Sequence, residues 1–212
     1  MLIERIITSE ACLSEGLAFL REREPKFAEA LKEIGPIPLR LRDDGFPALL
    51  NAIVSQQLSV AAADSIWTKL SEAQFIEPGV IEKASDEALR GCGLSRPKIR
   101  YARALAESGV DFETLRQKPS DEVIAELVRI PGIGRWTAEI YLMFSLGRAD
   151  VLAAGDLALQ ESARVLFDLP ERPKEKDLAA MAEDWSPWRS VAARILWAHY
   201  RVVKNREGVT GE

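Results

Sequence analysis

Residues 127–138 read LVRIPGIGRWTA, and the turn at their centre, Pro131-Gly132-Ile133-Gly134, decides how the rest of the chain is read. Glu126 to Arg129 close one helical pattern, and Trp136 to Leu146 open another. The turn between them is too tight for side chains at two positions. Glycine tolerates positive φ and lets another molecule approach the backbone closely. Ile133, between the two glycines, is placed to turn inward and tie the turn to a core. The amides of the turn and of the next helix's first turn then point outward, with the positive end of that helix dipole behind them. Such an arrangement favours an anion such as a phosphate. The competing reading is a helix C-cap followed at once by a new helix, because Pro and Gly are common punctuation.

Downstream, residues 151–160 read VLAAGDLALQ, which puts one acidic residue, Asp156, after a short apolar segment and at the start of a new helical pattern. An N-cap role would account for it alone. Three further segments bear on it: AIVSQQLSVAA at 52–62, GLSRPKIRYARALA at 93–106 and WSPWRSVAARILW at 185–197. In this order and spacing, from about Phe46 to Tyr200, the chain resembles the helix-hairpin-helix (HhH-GPD) DNA glycosylases, in particular the 3-methyladenine DNA glycosylase II branch. The specific part is IPGIGRWTAE with an aspartate 20 positions after Trp136 (136 to 156). The resemblance implies an all-α fold of two helical lobes flanking a cleft. Residues 1–44 with 149–212 would form one lobe, and 45–148 the central lobe that holds the hairpin. The mixed α/β N-terminal domain frequent in that branch is not expected.

Composition is compatible with this. The chain has 212 residues, 47% hydrophobic, with a mean hydropathy of -0.08, as in a folded globular protein with a real core. No apolar run reaches membrane-spanning length, and the first residues, MLIERIITSEACLSEG, carry acids where a signal peptide carries a basic flank. A cytoplasmic, DNA-associated protein is expected. Cys12 and Cys92 are isolated and read as ordinary reduced thiols. Two cysteines cannot ligate the four-cysteine iron–sulfur cluster that some related glycosylases carry. The net charge of -5 argues mildly against nucleic acid, but distribution matters more than the total. Arg90, Arg96, Lys98, Arg100 and Arg103 fall in a stretch without acids, and Arg129, Arg135 and Arg148 flank the hairpin.

Helix punctuation runs through the chain. Pro25 opens a helix closed by Gly35, Pro47 opens one ending near Gln57, and Ser59, Ser85 and Pro97 begin others. Ser120 precedes the first hairpin helix, and Ser186-Pro187 the last long one. Only Ile37 to Leu41 hints at a β-type run.

The resemblance implies excision of a damaged base after its nucleotide is flipped out of the duplex. Asp156 would stabilise the positive charge left on the sugar and orient or deprotonate a water. O-glycoside hydrolysis usually needs two carboxylates. Purines alkylated at N3 or N7 are cationic and leave as neutral bases, so one suffices. Trp136 stands where bifunctional relatives carry a Schiff-base lysine, which implies a monofunctional enzyme. Trp136 and Trp197 match pocket tryptophans able to stack on a cationic base, with core packing as the alternative. Tyr141, beside Ile140 at the position of a pocket tyrosine, and Gln56 complete the expected substrate pocket. Gln57, or alternatively Leu58, would fill the vacated base position. Gly132, Ile133, Gly134, Thr137, Arg96 and Lys98 would hold the DNA backbone, and the carbonyls of Ile130 and Ile133 a structural monovalent cation. No cofactor is expected in catalysis, and His199 and Arg189 read as structural. The expected partner is double-stranded DNA containing damaged bases, bound by a monomer. The alternatives are the same fold acting on deaminated or oxidised bases, and a non-catalytic helix-hairpin-helix DNA-binding module.

Overall fold

The computed structural model describes residues 4–209. Among them run thirteen α-helices: α1 Glu10–Arg23, α2 Pro25–Ile34, α3 Phe46–Ser55, α4 Val60–Glu72, α5 Pro78–Lys83, α6 Asp86–Gly91, α7 Arg96–Ala106, α8 Phe112–Gln117, α9 Ser120–Leu127, α10 Arg135–Phe144, α11 Leu157–Leu166, α12 Glu175–Met181 and α13 Arg189–Val209. A 3-10 turn, Ala182–Trp185, precedes α13, and no strand forms among the described residues. The chain is all-α, and the Ile37–Leu41 stretch forms no strand, its Leu39 amide donating to Glu10 Oε1 at 3.1 Å. Side-chain caps start several helices where the sequence placed them. Ser59 accepts the Ala62 amide and Ser85 that of Ala88. Gly35, at φ +70°, ends α2. Among the described residues no helix is long and apolar enough to cross a membrane.

Two compact units result, Met1–Leu41 with Leu142–Glu212, and Arg42–Tyr141. Leu142 to Arg148, placed by sequence in the hairpin lobe, belong to the first unit. There the backbone is stitched to the N-terminal segment, Ile7 N donating to Gly147 O at 2.7 Å and Ala149 N to Arg5 O at 2.9 Å. The Arg148 guanidinium is buried with them and pairs with Glu4 at 3.1 Å, so it is a structural cation and not part of a basic surface.

In the first unit the apolar stripe of α13, Val191, Ala192, Ile195 and Leu196, is fully buried. It packs on α11, α2 and α1. Gly16 makes the α1 approach possible, because a Cβ there would lie 2.7 Å from Trp188 Cε3. Phe27, Phe167 and Trp185 form an edge-and-stack cluster with centroids 5.1 to 5.9 Å apart.

In the second unit Leu49, Leu50, Ile53 and Val54 of α3 face Ile99, Ala102 and Leu105 of α7, all buried. The i, i+3, i+4 spacing on both helices produces this seam. Arg103, expected on a basic patch, turns back to donate to the carbonyls of Ile81 and Ala84 at 3.0 and 2.7 Å and pairs with Asp86. It caps the end of α5.

Cys12 departs from the expectation of an ordinary thiol. It sits in the first turn of α1, where Ser9 Oγ donates to its Sγ at 3.4 Å, and these contacts lower its pKa to about 7. Burial instead raises that of Cys92. Alkylation with iodoacetamide should therefore label Cys12 first, its rate climbing through pH 7, with Cys92 protected until unfolding. Equal labelling of both thiols, or a Cys12 midpoint above pH 8.5, would contradict this placement.

Candidate active site

The hairpin is built from the second unit's own contacts. After α9, Ile130 N donates to Leu127 O at 3.1 Å and Ile133 N to Ile130 O at 3.0 Å, which closes the turn. Ala138 N donates to Gly134 O at 3.1 Å and starts α10. Ile130 and Ile133 are buried, as the inward anchor requires. The two glycines serve different ends. Gly132 has φ +93°, and a Cβ on it would lie 2.4 Å from Cγ of Tyr101 on α7. A Cβ on Gly134 would meet nothing within 4 Å. The turn is therefore too tight for a side chain only at Gly132. Gly134 leaves an open face over the backbone. Among the described residues the amides of Gly132 and Gly134 have no acceptor. Thr137 is buried, so only its main chain is placed to serve a ligand. The turn thus has an internal wall at Gly132 and an open front at Gly134, a geometry with room for an anion at its amides.

Trp136, one residue beyond the first of α10, is 48% exposed, which the core-packing alternative does not predict. Its neighbour Arg135 pairs with the buried Glu139 at 2.9 Å. Arg96 is exposed at the start of α7. The loop after α3 presents Gln57, exposed and left-handed at φ +56°, and Leu58, 40% exposed.

Three of the expected site residues make internal contacts that the sequence does not display. Gln56 Nε2 donates to Gly132 O at 2.8 Å, so its amide is a tether to the hairpin. Lys98 Nζ donates to Val54 O at 2.6 Å and is partly buried, which lowers its pKa; it holds the end of α3. The Tyr141 ring is 4% exposed, its hydroxyl accepts the Gly45 amide at 3.0 Å, and burial raises its pKa to about 12. It braces the unit's interior. In each case a polar group meets a backbone partner far along the chain, a pairing that linear sequence does not display.

In the first unit Asp156 caps α11. Its Oδ1 accepts the amides of Ala158 at 2.8 Å and Leu159 at 3.0 Å, so the carboxylate is oriented by the backbone. The preceding turn is held by Asp156 N on Ala153 O and by the buried amide of Gln160 on Ala154 O, each at 2.9 Å. Gln160 is a brace that sequence reading missed; its spacing of six from Ala154 gives no motif. Leu157, beside the carboxylate in sequence, is 62% exposed, so the start of α11 is a surface feature. Trp197 is half-buried and lies against Phe144, ring centroids 5.8 Å apart and tilted by 34°. Phe144 also carries the Arg194 guanidinium at 4.6 Å. Arg194 was also missed. It is 5% exposed, donates to Ser190 O and Met143 O, and burial lowers its pKa to about 10. The signal was one charge inside the apolar run VAARILW. His199 Nδ1 meets Ser162 Oγ at 3.0 Å in the interior, and Arg189 Nε donates to Ala182 O at 3.0 Å, both structural as read.

Among the described residues no group of three or more His, Cys, Asp or Glu is arranged to hold a metal. The hairpin carbonyls are a different donor set. Among the described residues Ile133 O accepts no backbone hydrogen bond and Ile130 O accepts one, from Ile133 N, a pattern compatible with neutral-oxygen ligation of a monovalent cation.

The two glycines predict opposite outcomes for one substitution. Gly132→Ala should destabilise the protein by about 1–3 kcal/mol, from positive φ and the clash with Tyr101. Gly134→Ala should stay within about 0.5 kcal/mol of the parent. Urea unfolding measures both, and equal losses would refute the division of roles.

Residues 50–187 match the HhH-GPD superfamily of base excision DNA repair proteins. DNA-3-methyladenine glycosylase 1 of Schizosaccharomyces pombe is 32% identical over 203 residues, covering 92% of this chain and 89% of the relative. The alkylbase DNA glycosidase-like protein mag2 of the same yeast is 30% identical, covering 81% and 86%. Among solved structures, a DNA-3-methyladenine glycosidase from Bacillus halodurans superposes with a TM-score of 0.80 at 33% identity, over 95% of this chain and 94% of that one. The S. pombe 3-methyladenine DNA glycosylase in complex with abasic DNA superposes with a TM-score of 0.73 at 31% identity, over 86% of this chain and 95% of that one. With its hairpin, its capped aspartate and these near full-length likenesses, the chain belongs to the HhH-GPD superfamily of base excision DNA repair proteins.

Proposed function

We propose that this protein is a monofunctional DNA glycosylase that hydrolyses the N-glycosidic bond of alkylated bases of the 3-methyladenine and 7-methylguanine class in double-stranded DNA. The near full-length likeness to DNA-3-methyladenine glycosylases carries the reading. The residues supply its chemistry. The amides at Gly132 and Gly134 take a strand phosphate across the open face at Gly134. A cation held by the carbonyls of Ile130 and Ile133 would add positive charge beside that phosphate.

A purine alkylated at N3 or N7 carries a full positive charge. When its glycosidic bond breaks, the bonding pair stays with the base, which departs neutral, and the sugar becomes an oxocarbenium ion. The Asp156 carboxylate, oriented by two amides, stabilises that cation. Water then adds at C1′ and gives up a proton, with Asp156 as the base, leaving an abasic sugar. No acid is needed to protonate the leaving group. The exposed Trp136 offers an indole face to the cationic base, and Trp197 is the second stacking candidate. Trp136 cannot form a Schiff base, so the strand stays intact.

Asp156→Asn separates charge from capping, because asparagine also caps helices. The variant should fold and bind duplex DNA like the parent, yet release 3-methyladenine from methylated duplex at least about 100-fold more slowly. Borohydride should trap no covalent complex with either protein. Parent-like release by the variant would remove Asp156 from the reaction, and a trapped adduct would overturn the monofunctional assignment.

A further inference from the structure

The loop Gln56-Gln57-Leu58 is held more firmly than an exposed connection needs. Gln57 adopts φ +56°, a left-handed conformation that costs a residue with a Cβ about 1 kcal/mol or more. Such a conformation persists when its surroundings over-determine it, and here they do. Lys98 Nζ holds the Val54 carbonyl on one side, at the last turn of α3. Gln56 Nε2 holds the Gly132 carbonyl on the other. Leu58 N closes the loop on Ser55 O at 3.3 Å. The two tethers share a base, because Lys98 and Tyr101 lie three residues apart on one face of α7, and Tyr101 is the wall against which Gly132 is pressed. The loop, the end of α3 and the phosphate-binding turn therefore form a closed circuit around α7, within one unit.

Resting on the glycosylase reading, we propose that Lys98 and Gln56 are positioning residues that fix the Gln57–Leu58 tip at a set distance from the hairpin, so that anchoring a strand at Gly134 delivers Gln57 to the gap left by the flipped nucleotide. Each tether commits one N–H to a backbone carbonyl inside the protein, which is the bond that positions the tip. Gln57 is the plug, since its side chain is exposed at the strained residue the tethers enforce. Holding the tip in advance removes an ordering cost from the flipping step. The tethers matter only where a stacked duplex must be kept open.

The test compares single-turnover base release from 7-methylguanine in a matched duplex and in an unpaired bubble, for the parent, Lys98→Met, Gln56→Ala, Gln57→Ala and the Gln56→Ala/Gln57→Ala double variant. Each tether variant should lower the duplex-to-bubble rate ratio roughly tenfold, the effect of one lost hydrogen bond of the stronger kind. The double variant should fall no further than Gln57→Ala, because Gln56 acts through Gln57. Equal losses on both substrates together with a lowered Tm would mean that the tethers only stabilise the fold, and the inference fails. Additive losses in the double variant would also overturn it. A parent that releases no base from either substrate would instead defeat the glycosylase reading itself.

Discussion

The contact of the Gly132 backbone with the Tyr101 ring is the constraint from which the hairpin follows. With no Cβ at 132 the turn can press onto α7, adopt φ +93° and bury Ile130 and Ile133 beneath it. Once those side chains are inside, the turn amides have only the outside to face. Gly134 then completes the device by leaving their front bare. A shallow surface turn thus acquires the form of an anion site without any charged side chain in it. The proposed grip on DNA would be made of oriented amides and a helix dipole and not of bulk charge, which makes a net charge of -5 compatible with a polyanionic partner.

Asp156 shows a second economy. Its carboxylate does the ordinary work of an N-cap, and the two amides it accepts point it in one direction. Capping and catalysis are therefore compatible readings of one residue, where the sequence alone posed them as rivals. A carboxylate already held by the backbone reorganises little as charge develops on a nearby sugar, which is the condition for strong electrostatic stabilisation.

Much of the frame was legible in the residues. Pro25, Ser59, Ser85 and Gly35 mark helix ends because capping is local, decided by the neighbour or the next turn. The hairpin was legible for the same reason. What escaped was the destination of long polar side chains. Lys98, Arg103 and Arg148 looked like surface cations and Gln56 like a pocket residue, and all bond to partners 17 to 144 positions away, the nearest being Asp86 for Arg103 and the farthest Glu4 for Arg148. Burial of a carbonyl or a carboxylate creates that demand, and it exists only once the chain is folded. Tyr141 and Arg194 were misread or missed on the same account, one hidden behind Gly45 and the other sealed under Phe144. The stitching of Leu142–Arg148 to the N-terminal segment depends on residues too weakly patterned to announce it.

The central claim is that the negative charge at position 156 stabilises positive charge at an extruded sugar. Binding of a duplex that carries a cationic pyrrolidine in place of the damaged nucleoside, compared with a neutral tetrahydrofuran abasic duplex, measures that interaction without chemistry. The parent should prefer the cationic duplex by at least about tenfold, and Asp156→Asn should lose that preference while keeping its affinity for the neutral one. An undiminished preference in the variant would contradict the account.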